Sequence, residues 1–386
     1  MTSAELFFHL LRSEICGAEL DKSIAPMCTE QMLQDVYAHA RLHDLTHIAG
    51  QALSKLELPA SETLTKLKSS ALQAVYRYVR INHALLQACQ VLEEEKIPFI
   101  PLKGSVLRDY YPEPWMRTSC DIDILVKEEM LEPAAQALSK KLGYKAGPVT
   151  DHDMTLTASG VYLELHYDTI QERYEVNGCR SVLAGIWEDA REKAPGSCQL
   201  QLSDEMFYFY HMAHMVKHFE VGGCGVRAYL DIWIMNHRME FDRKKRQKLL
   251  ETGGLLKFAK ASEEVAEYWF SNAPADDMTL AISKYILKAS LYGDNENRAA
   301  LGQARMGGKV KYLLLRRVFM PYDYLKAEYP ILKKHKWLTP VYQVVRWLRM
   351  LFSGRLGTTL RELKANAVLK ETQEYSAADI VKYLDI

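Results

Sequence analysis

Strand-like hydrophobic patterns in this chain are confined to residues 96–200, and this confinement limits the folds that the chain can adopt. Before and after that stretch, apolar residues recur at helical spacing. The elements predicted within it are the strand Ile97–Leu102, the strand Cys120–Val126 with its period of two, the helix Glu128–Leu142 that ends at Gly143, and the strands Met154–Ala158 and Val161–Asp168 around a Ser159-Gly160 turn.

The helical flanks divide the chain into three predicted parts. Gln31–Leu56 and Ser61–Glu95 predict helices before the strands, and helical patterns resume at Ser203 and continue toward the C-terminus. We therefore predict an α+β protein. Its parts are an N-terminal helical segment (residues 1–95), an α/β core (residues 96–200) and a large C-terminal helical domain (residues 201–386).

The composition excludes several classes of protein. The 386 residues include 49 Lys and Arg and 49 Asp and Glu, so the formal net charge is zero, and 48% of the residues are hydrophobic. These values are ordinary for a globular protein and exclude a disordered, a collagen-like or a strongly basic nucleic-acid-packing chain. A zero net charge also argues against nucleic acid as the main partner, because such partners usually require a positive footprint.

The cysteines and apolar segments predict a cytoplasmic location. The seven cysteines are scattered and form no Cys-x-x-Cys motif, which argues against a disulfide framework or a structural zinc site. The N-terminus lacks the basic region of a signal peptide. No stretch approaches the ~18 uncharged apolar residues of a membrane span, so we expect no membrane association.

Asp121 and Asp123 are the strongest candidates for chemistry. They occupy positions i and i+2 of a predicted strand and therefore share one face. Two neighbouring carboxylates repel each other unless a cation lies between them, and a site made of oxygen ligands favours Mg²⁺ or Mn²⁺. A solvated strand face is the alternative, but apolar residues flank the pair on both sides of Asp123.

A candidate phosphate site precedes this carboxylate pair. Gly104 lies 17 residues before Asp121, at a point where a predicted strand gives way to a helix. A glycine there lets the backbone approach a phosphate, and the N–H groups of the helix start point toward it. Ser105 adds a hydroxyl donor, and Lys103 adds a positive charge.

A third carboxylate is expected on the strand Val161–Asp168. Alternation directs its apolar residues toward the core and places Glu164 and His166 on the opposite face. Glu164 is therefore a candidate third metal ligand, and His166 could orient a carboxylate or act on a proton. A purely structural role for these two residues is the alternative.

Two histidine features have weaker functional interpretations. His211, His214 and His218 fall at i, i+3 and i+7, on one helix face that could bind zinc. No HExxH pattern accompanies them, so we favour packing and hydrogen bonding. The dipeptide His43-Asp44 could indicate a metal phosphohydrolase, but a single dipeptide is a weak signal.

Several arginines could contact phosphate. Arg117 lies four residues before Asp121, although an ordinary loop arginine is the alternative, and Arg227 lies at i, i+4 from Asp231, as in a helix salt bridge. Residues 301–370 contain 15 Lys and Arg against three acidic residues, a net charge of +12. This segment is either a solvent-exposed helical face or a basic surface that lies opposite the carboxylates and binds phosphates. The arginines that we expect to touch phosphate from that side are Arg227 and Arg316.

The run LKGSVLRDYYPEPWMRTSCDIDILV resembles the signature of the DNA polymerase β-like nucleotidyltransferase superfamily, Gly-Gly/Ser followed by Asp-x-Asp. More narrowly, residues 70–350 are similar to a bacterial family of largely uncharacterised nucleotidyltransferases. This resemblance implies a core made of a small mixed sheet with helices. The features that match are Lys103-Gly104, Leu107, Tyr111, Arg117, Asp121–Val126, Glu164-Leu165-His166, His211, His214, Arg227 and Asp231-Ile232.

The resemblance also implies a two-metal transfer of a nucleoside monophosphate from an NTP, with ATP expected, and release of pyrophosphate. Asp121 and Asp123 would hold both Mg²⁺ (or Mn²⁺) ions, and Glu164 would bind the ion that activates the acceptor hydroxyl. Gly104 and Ser105 would bind the β- and γ-phosphates. The other residues expected to bind the nucleotide are Lys103, Arg117, His166 and Arg227.

Two functional classes stay open at this point. The leading hypothesis is a Mg²⁺-dependent nucleotidyltransferase, most simply an adenylyltransferase, that modifies a hydroxyl of a small molecule or a protein. The alternative is an NTP-binding regulatory or antitoxin-like module with little turnover. The sequence leaves the acceptor, the base preference and the oligomeric state open.

Overall fold

The structure is a computed structural model of the chain. It describes residues 1–169, 178–220, 223–288, 319–352 and 377–386. The basic segment 301–370 is therefore described only in part, and Arg316 lies outside the described residues.

A mixed five-stranded sheet forms the centre of the described α/β region. The strand order is β1-β2-β5-β4-β3, in which β2 and β5 run parallel and the other neighbours run antiparallel. The small mixed sheet expected for the core is thus present. The strands are β1 (Phe99–Pro101), β2 (Asp121–Val126), β3 (Lys145–Val149), β4 (Asp153–Ala158) and β5 (Val161–His166), and a separate ribbon pairs β6 (Arg191–Glu192) with β7 (Leu200–Gln201).

The edge strand β3 is an element that sequence reasoning missed. All five of its residues are exposed, and they include Gly147 and Pro148. A strand without a buried face shows no hydrophobic alternation, and both Gly and Pro are depleted in strands. No sequence signal distinguishes such a segment from a loop.

Helices surround the sheet and account for most of the remaining described residues. Thr2, Thr29 and Ser61 cap the first, second and fourth helices by accepting backbone N–H groups. Within the part of the chain that the structure describes, no helix has the length and apolar character needed to cross a membrane. The helices are α1 (Ser3–Ile15), α2 (Glu30–Leu42), α3 (Thr46–Ser54), α4 (Glu62–Glu94), α5 (Gly104–Leu107), α6 (Leu131–Leu142), α7 (Cys179–Leu183), α8 (Ile186–Asp189), α9 (Asp204–Glu220), α10 (Val226–Arg238), α11 (Arg243–Thr252), α12 (Leu256–Ser271) and α13 (Asp277–Lys288), followed by Tyr322–Glu328, Ile331–Lys334, Thr339–Phe352 and Ala377–Leu384.

The two faces of the sheet have different neighbours. Ile122, Ile124, Leu163 and Leu165 are fully buried in a core that α4 and α6 complete. The intervening residues of β2 and β5 lie on the opposite face because side chains alternate along a strand. We call this second face, which carries Asp121, Asp123, Glu164 and His166, the active-site face. A larger core combines α1, α2 and α3 with α9, α10 and α12.

Helices α3 and α4 approach each other closely at Gly50. A Cβ added there would lie 1.9 Å from the carbonyl oxygen of Leu67 on α4. This distance is far below van der Waals contact, and the atom it meets is backbone, which cannot rotate away. The close approach of the two helices therefore requires glycine at this position.

We predict that Gly50→Ala lowers the free energy of unfolding by about 2–4 kcal/mol, because α3 must move away from α4. Chemical denaturation followed by circular dichroism measures the change. The neighbouring Gln51→Ala variant is the control and should stay within about 0.5 kcal/mol of wild type. Equal stability of Gly50→Ala and wild type would show that the two helices are not packed this closely.

A buried ion pair joins the segment before β2 to α10. Arg117 Nε and Nη2 each donate a hydrogen bond to the Asp231 carboxylate at 2.7 Å, and Tyr111 Oη donates a third at 2.7 Å. Asp231 is 1% exposed and Arg117 is 9% exposed. Burial alone would raise the pKa of Asp231, but Arg117 outweighs it and holds the pKa below its ordinary value.

We predict that Asp231→Asn destabilises the protein by about 3–5 kcal/mol at neutral pH, because it leaves the Arg117 charge buried without a partner. Since the folded-state pKa of Asp231 is lowered, its contribution is complete above the unfolded pKa of ~3.9 and is lost as the pH falls through the folded value. The difference between wild type and variant should therefore shrink below about pH 4.

Urea unfolding at several pH values measures this difference. The exposed Asp35 provides a control, and Asp35→Asn should change stability by less than about 0.5 kcal/mol. A cost below about 1 kcal/mol for Asp231→Asn would contradict the buried-pair assignment.

Candidate active site

The register of the two central parallel strands brings the predicted carboxylates together. Asp123 on β2 pairs directly with Glu164 on β5, and Asp121 pairs with Tyr162. Neighbouring strands lie about 4.8 Å apart, so Asp123 and Glu164 project side by side from the active-site face. The ligand atoms of Asp123, Glu164 and His166 lie within 4.8 Å of one another and form one of the groups in the described residues that could hold a metal ion.

One oxygen of Asp123 has two partners. Lys103 Nζ lies 2.7 Å from Asp123 Oδ1 and donates to it, and His166 Nε2 lies 2.8 Å from the same oxygen. His166 Nε2 also lies 3.4 Å from Glu164 Oε2. Asp123 is 3% exposed, so these contacts take place away from bulk water. The predicted residues Lys103, Asp123, Glu164 and His166 therefore form one connected cluster.

The two aspartates of the motif have opposite electrostatic environments. Burial would raise the pKa of Asp123, but Lys103 and His166 hold it far below its usual range. Asp121 lacks such contacts, and burial together with the charge of Asp123 raises its pKa. Burial would lower the pKa of Lys103, whereas Asp123 raises it, so the ammonium group stays charged. Asp123 is thus compensated by direct contacts, whereas Asp121 lies outside the cluster and feels Lys103 only at longer range.

A strained turn places Lys103 in this cluster. Lys103 has φ 48° and ψ −122°, and the Ser105 N–H donates to the Leu102 carbonyl at 3.1 Å. This is the geometry of a type II′ turn, whose first central position is usually glycine. A lysine in that conformation costs on the order of 1–3 kcal/mol, a cost that is typically retained at functional sites. Its ion pair with Asp123 provides the compensating interaction.

Gly104 and Ser105, the last two residues of this turn, lie in a confined environment. A Cβ at Gly104 would lie 3.3 Å from Ser119 Cβ, so a side chain there would crowd the neighbouring loop. Ser105 Oγ is buried and has no hydrogen-bond partner among the described residues. A buried hydroxyl without a partner is uncommon in a folded protein and is a reasonable position for a ligand oxygen.

Arg108 is a site residue that sequence reasoning missed. It is 2% exposed, its Nε donates to the Gly104 carbonyl at 2.7 Å, and its Nη2 donates to Ser119 Oγ at 3.1 Å. Its guanidinium also lies over the Tyr78 ring, 5.7 Å from the centroid. Arg108 therefore fixes the turn that carries Lys103 and Gly104. Arginine is rarely buried to this extent, and no local pattern indicates that it will be.

The two predicted phosphate-contacting arginines have protein partners. Beyond its pair with Asp231, Arg117 Nη1 donates to the Thr118 carbonyl at 2.6 Å. Arg227 Nη1 donates to Asp44 Oδ2 at 2.6 Å and to Thr118 Oγ1 at 3.2 Å. The sequence suggested an i, i+4 pair between Arg227 and Asp231. In the structure Asp231 instead pairs with Arg117, and Arg227 pairs with Asp44. These contacts favour a role for both arginines in positioning the segment that leads into β2.

Asp44 belongs to the same network. Its carboxylate accepts a hydrogen bond from Thr118 Oγ1 at 2.7 Å in addition to the one from Arg227. The adjacent His43 is fully buried, and burial lowers its pKa to about 4. These structural contacts account for the His43-Asp44 dipeptide without a phosphohydrolase centre.

Helix α9 adds histidines and a tyrosine near the cluster. His211 Nε2 lies 3.3 Å from the Ala228 carbonyl oxygen, and the His214 and His218 rings pack edge to face with centroids 4.5 Å apart. Burial lowers the pKa of all three histidines, to about 4 for His218. Neither of the possible metal-binding groups among the described residues includes them. Their contacts are those expected of packing.

Tyr210 is a second residue near the site that sequence reasoning missed. It is 2% exposed, and burial raises its pKa, with Lys103 opposing and the carboxylates adding to this shift. Lys103 also lowers the pKa of His214, one turn farther along α9. This face of α9 therefore lies within electrostatic range of the carboxylate cluster. In an apolar helix, the sequence does not distinguish a tyrosine near a functional site from a tyrosine of the hydrophobic core.

Comparison with known proteins provides the family. A model of an uncharacterised nucleotidyltransferase family matches residues 29–271, which is more than half of the chain and includes the whole carboxylate cluster. No curated protein and no solved structure is significantly similar. The resemblance inferred from the Gly-Ser and Asp-x-Asp motifs is confirmed, and the chain belongs to this nucleotidyltransferase family.

Proposed function

We propose that this protein is a metal-dependent nucleotidyltransferase that moves AMP from ATP to a hydroxyl group and releases pyrophosphate. Family membership supports nucleotidyl transfer in general. The proposal of metal-dependent AMP transfer is supported mainly by one observation. Asp123 pairs directly with Glu164, and Asp121 lies on the same active-site face.

The carboxylates of this face fit Mg²⁺ or Mn²⁺. Asp121, Asp123 and Glu164 offer oxygen ligands, which hard dications prefer. The raised pKa of Asp121, caused by burial and by neighbouring negative charge, indicates an excess of negative charge that a dication would relieve. When bound there, two such ions stabilise the attacking and leaving oxygens of an in-line displacement.

The protein groups have separate tasks in this proposal. The acceptor hydroxyl oxygen forms a bond to the α-phosphorus, the bond from that phosphorus to the bridging oxygen breaks, and pyrophosphate leaves. Glu164 would hold the ion that activates the acceptor hydroxyl, because its hydrogen bond with His166 lowers the Glu164 pKa and keeps the carboxylate ionised, and the hydroxyl proton leaves to water. Gly104 and Ser105 bind the leaving phosphates, and Arg108 holds their turn in place.

A small molecule or a protein is the favoured acceptor. Although residues 301–370 carry a net charge of +12, the zero net charge of the whole chain argues against a long nucleic acid as the main partner. Three of the cations near the cluster are already paired with carboxylates, since Lys103 binds Asp123, Arg117 binds Asp231 and Arg227 binds Asp44.

The first prediction from this proposal concerns metal. Asp123→Asn removes a ligand charge and should abolish the thermal stabilisation by Mg²⁺-ATP, which for wild type is about 2.7 kcal/mol at 100 times Kd. Scanning fluorimetry with and without Mg²⁺ measures the shift. Asp109→Asn, a change at an exposed aspartate of the same motif region, is the matched control and should retain it. A wild-type shift in Asp123→Asn would refute the metal assignment.

The second prediction concerns the acceptor. Wild-type protein incubated with α-labelled ATP, Mg²⁺ and fractionated lysate should transfer label to a protein or small-molecule fraction, and the Asp123→Asn protein should not. Label in RNA that depends on Asp123 would refute the acceptor preference while retaining nucleotidyl transfer.

A regulatory NTP-binding module is the second candidate, and one observation favours it. The Lys103 ammonium already neutralises Asp123 at 2.7 Å, so this part of the cleft is stable without a metal ion. Tight binding of ATP without pyrophosphate release in the same assays would support this candidate over the transferase.

A further inference from the structure

A second cluster of metal-binding side chains adjoins the active-site face. Asp153, the first residue of β4, pairs directly with His166 on β5, and His152 precedes it in the chain. The ligand atoms of His152, Asp153 and His166 lie within 4.8 Å of one another, and the two imidazole rings have centroids 5.8 Å apart. The register of β4 and β5 therefore gathers two imidazoles and a carboxylate at one place.

The Asp153 carboxylate is buried, and no lysine or arginine of the described residues lies within ion-pair distance of it. It is 7% exposed, and among the described residues its ionic partner is His152, whose Nε2 lies 3.4 Å from Asp153 Oδ2. Thr150 Oγ1 donates a hydrogen bond to Asp153 Oδ1, but a hydroxyl does not neutralise the charge. Buried carboxylates are normally paired with a cation or coordinate a metal, because an uncompensated buried charge is costly.

The imidazoles are suited to complete such a site. The His152 ring lies between two carboxylates, with Nε2 3.4 Å from Asp153 Oδ2 and Nδ1 3.1 Å from Asp151 Oδ1. His166 already contacts Asp123 Oδ1 through Nε2 at 2.8 Å. Metal-bound histidines usually contact a carboxylate or carbonyl through their other ring nitrogen, which fixes the orientation of the ring. Asp123 occupies that position relative to His166.

We propose that His152, Asp153 and His166 form a binding site for a first-row transition dication, with Zn²⁺ as its test ion. Two nitrogen donors and one oxygen donor suit Zn²⁺, in contrast to the oxygen-only set of Asp121, Asp123 and Glu164 that suits Mg²⁺. Three protein ligands leave a fourth position open. His166 belongs to both possible metal-binding groups, so it would link this site to the active-site face.

The test is calorimetric titration of the full-length, chelator-treated protein with Zn²⁺ in excess Mg²⁺. We expect one Zn²⁺ per chain in wild type. His152→Ala and Asp153→Asn should each weaken binding by about 100-fold or more, because a ligand is lost rather than an outer-shell partner. Visible absorption of the Co²⁺-substituted protein provides a second readout, and the spectrum of wild type should be lost in both variants. Asp153→Asn is nearly isosteric and removes an uncompensated charge, so it should fold at least as stably as wild type.

Two control variants separate this proposal from its competitors. His214→Ala tests the α9 histidines and should leave Zn²⁺ affinity within about twofold of wild type, since His214 lies outside the cluster. Asp121→Asn should lose Mg²⁺-ATP stabilisation but keep Zn²⁺ binding, so failure of the proposed function and failure of this site are distinguishable. Absence of Zn²⁺ binding by wild type, binding unchanged in Asp153→Asn, or binding lost in His214→Ala would overturn the proposal.

Discussion

The contact between the Lys103 ammonium and the Asp123 carboxylate is the interaction on which the rest of the site depends. A carboxylate that is 3% exposed needs a compensating charge, and the chain provides one at 2.7 Å. This ion pair holds Lys103 in a backbone conformation that usually requires glycine, so the electrostatic gain offsets the local strain. The same turn contains the buried Gly104 and leads to the buried hydroxyl of Ser105. The contact between Lys103 and Asp123 therefore both compensates the buried Asp123 charge and determines the shape of the turn.

A second layer of buried ion pairs positions this contact. Arg117 binds Asp231 of α10, and Arg227 binds Asp44, which lies between α2 and α3. Thr118 accepts a hydrogen bond from Arg227 and donates one to Asp44, so the segment that enters β2 is anchored from two directions. These anchors connect residues that are 74 to 114 positions away in sequence with the segment that enters the strand of Asp121 and Asp123. The family match, which begins at residue 29 and ends at 271, includes all of these anchoring residues.

Local patterns predicted the parts of the site that depend on neighbours in sequence. The alternation of β2 and β5 placed Asp121, Asp123, Glu164 and His166 on one face, and the strand register agrees. Gly143, with φ 73°, ends α6 as its sequence position indicated. Local patterns could not predict which distant residue a buried charged side chain would pair with. Arg227 is one turn from Asp231 in α10, yet each binds a residue from another part of the chain, because tertiary packing brings a buried partner closer than the helix does. Arg108 and Tyr210 were missed for the same reason, and the predicted division into three parts stays a prediction.

Five aspartates of the described residues fall into two groups according to what neutralises them. Asp123, Asp231 and Asp44 each lie within ion-pair distance of a lysine or arginine, and they join strands, turns and helices. Asp121 and Asp153 have no lysine or arginine at that distance among the described residues, although both lie on or beside the active-site face. Burial of a charge without a fixed partner is costly, and such groups are retained mainly where a ligand supplies the missing charge. The first group therefore holds together the elements around the active-site face, and the second contains carboxylates that we propose as metal ligands. His166 lies between Asp123 and Asp153, so a cation bound on one side would change the hydrogen bonding of the carboxylate on the other.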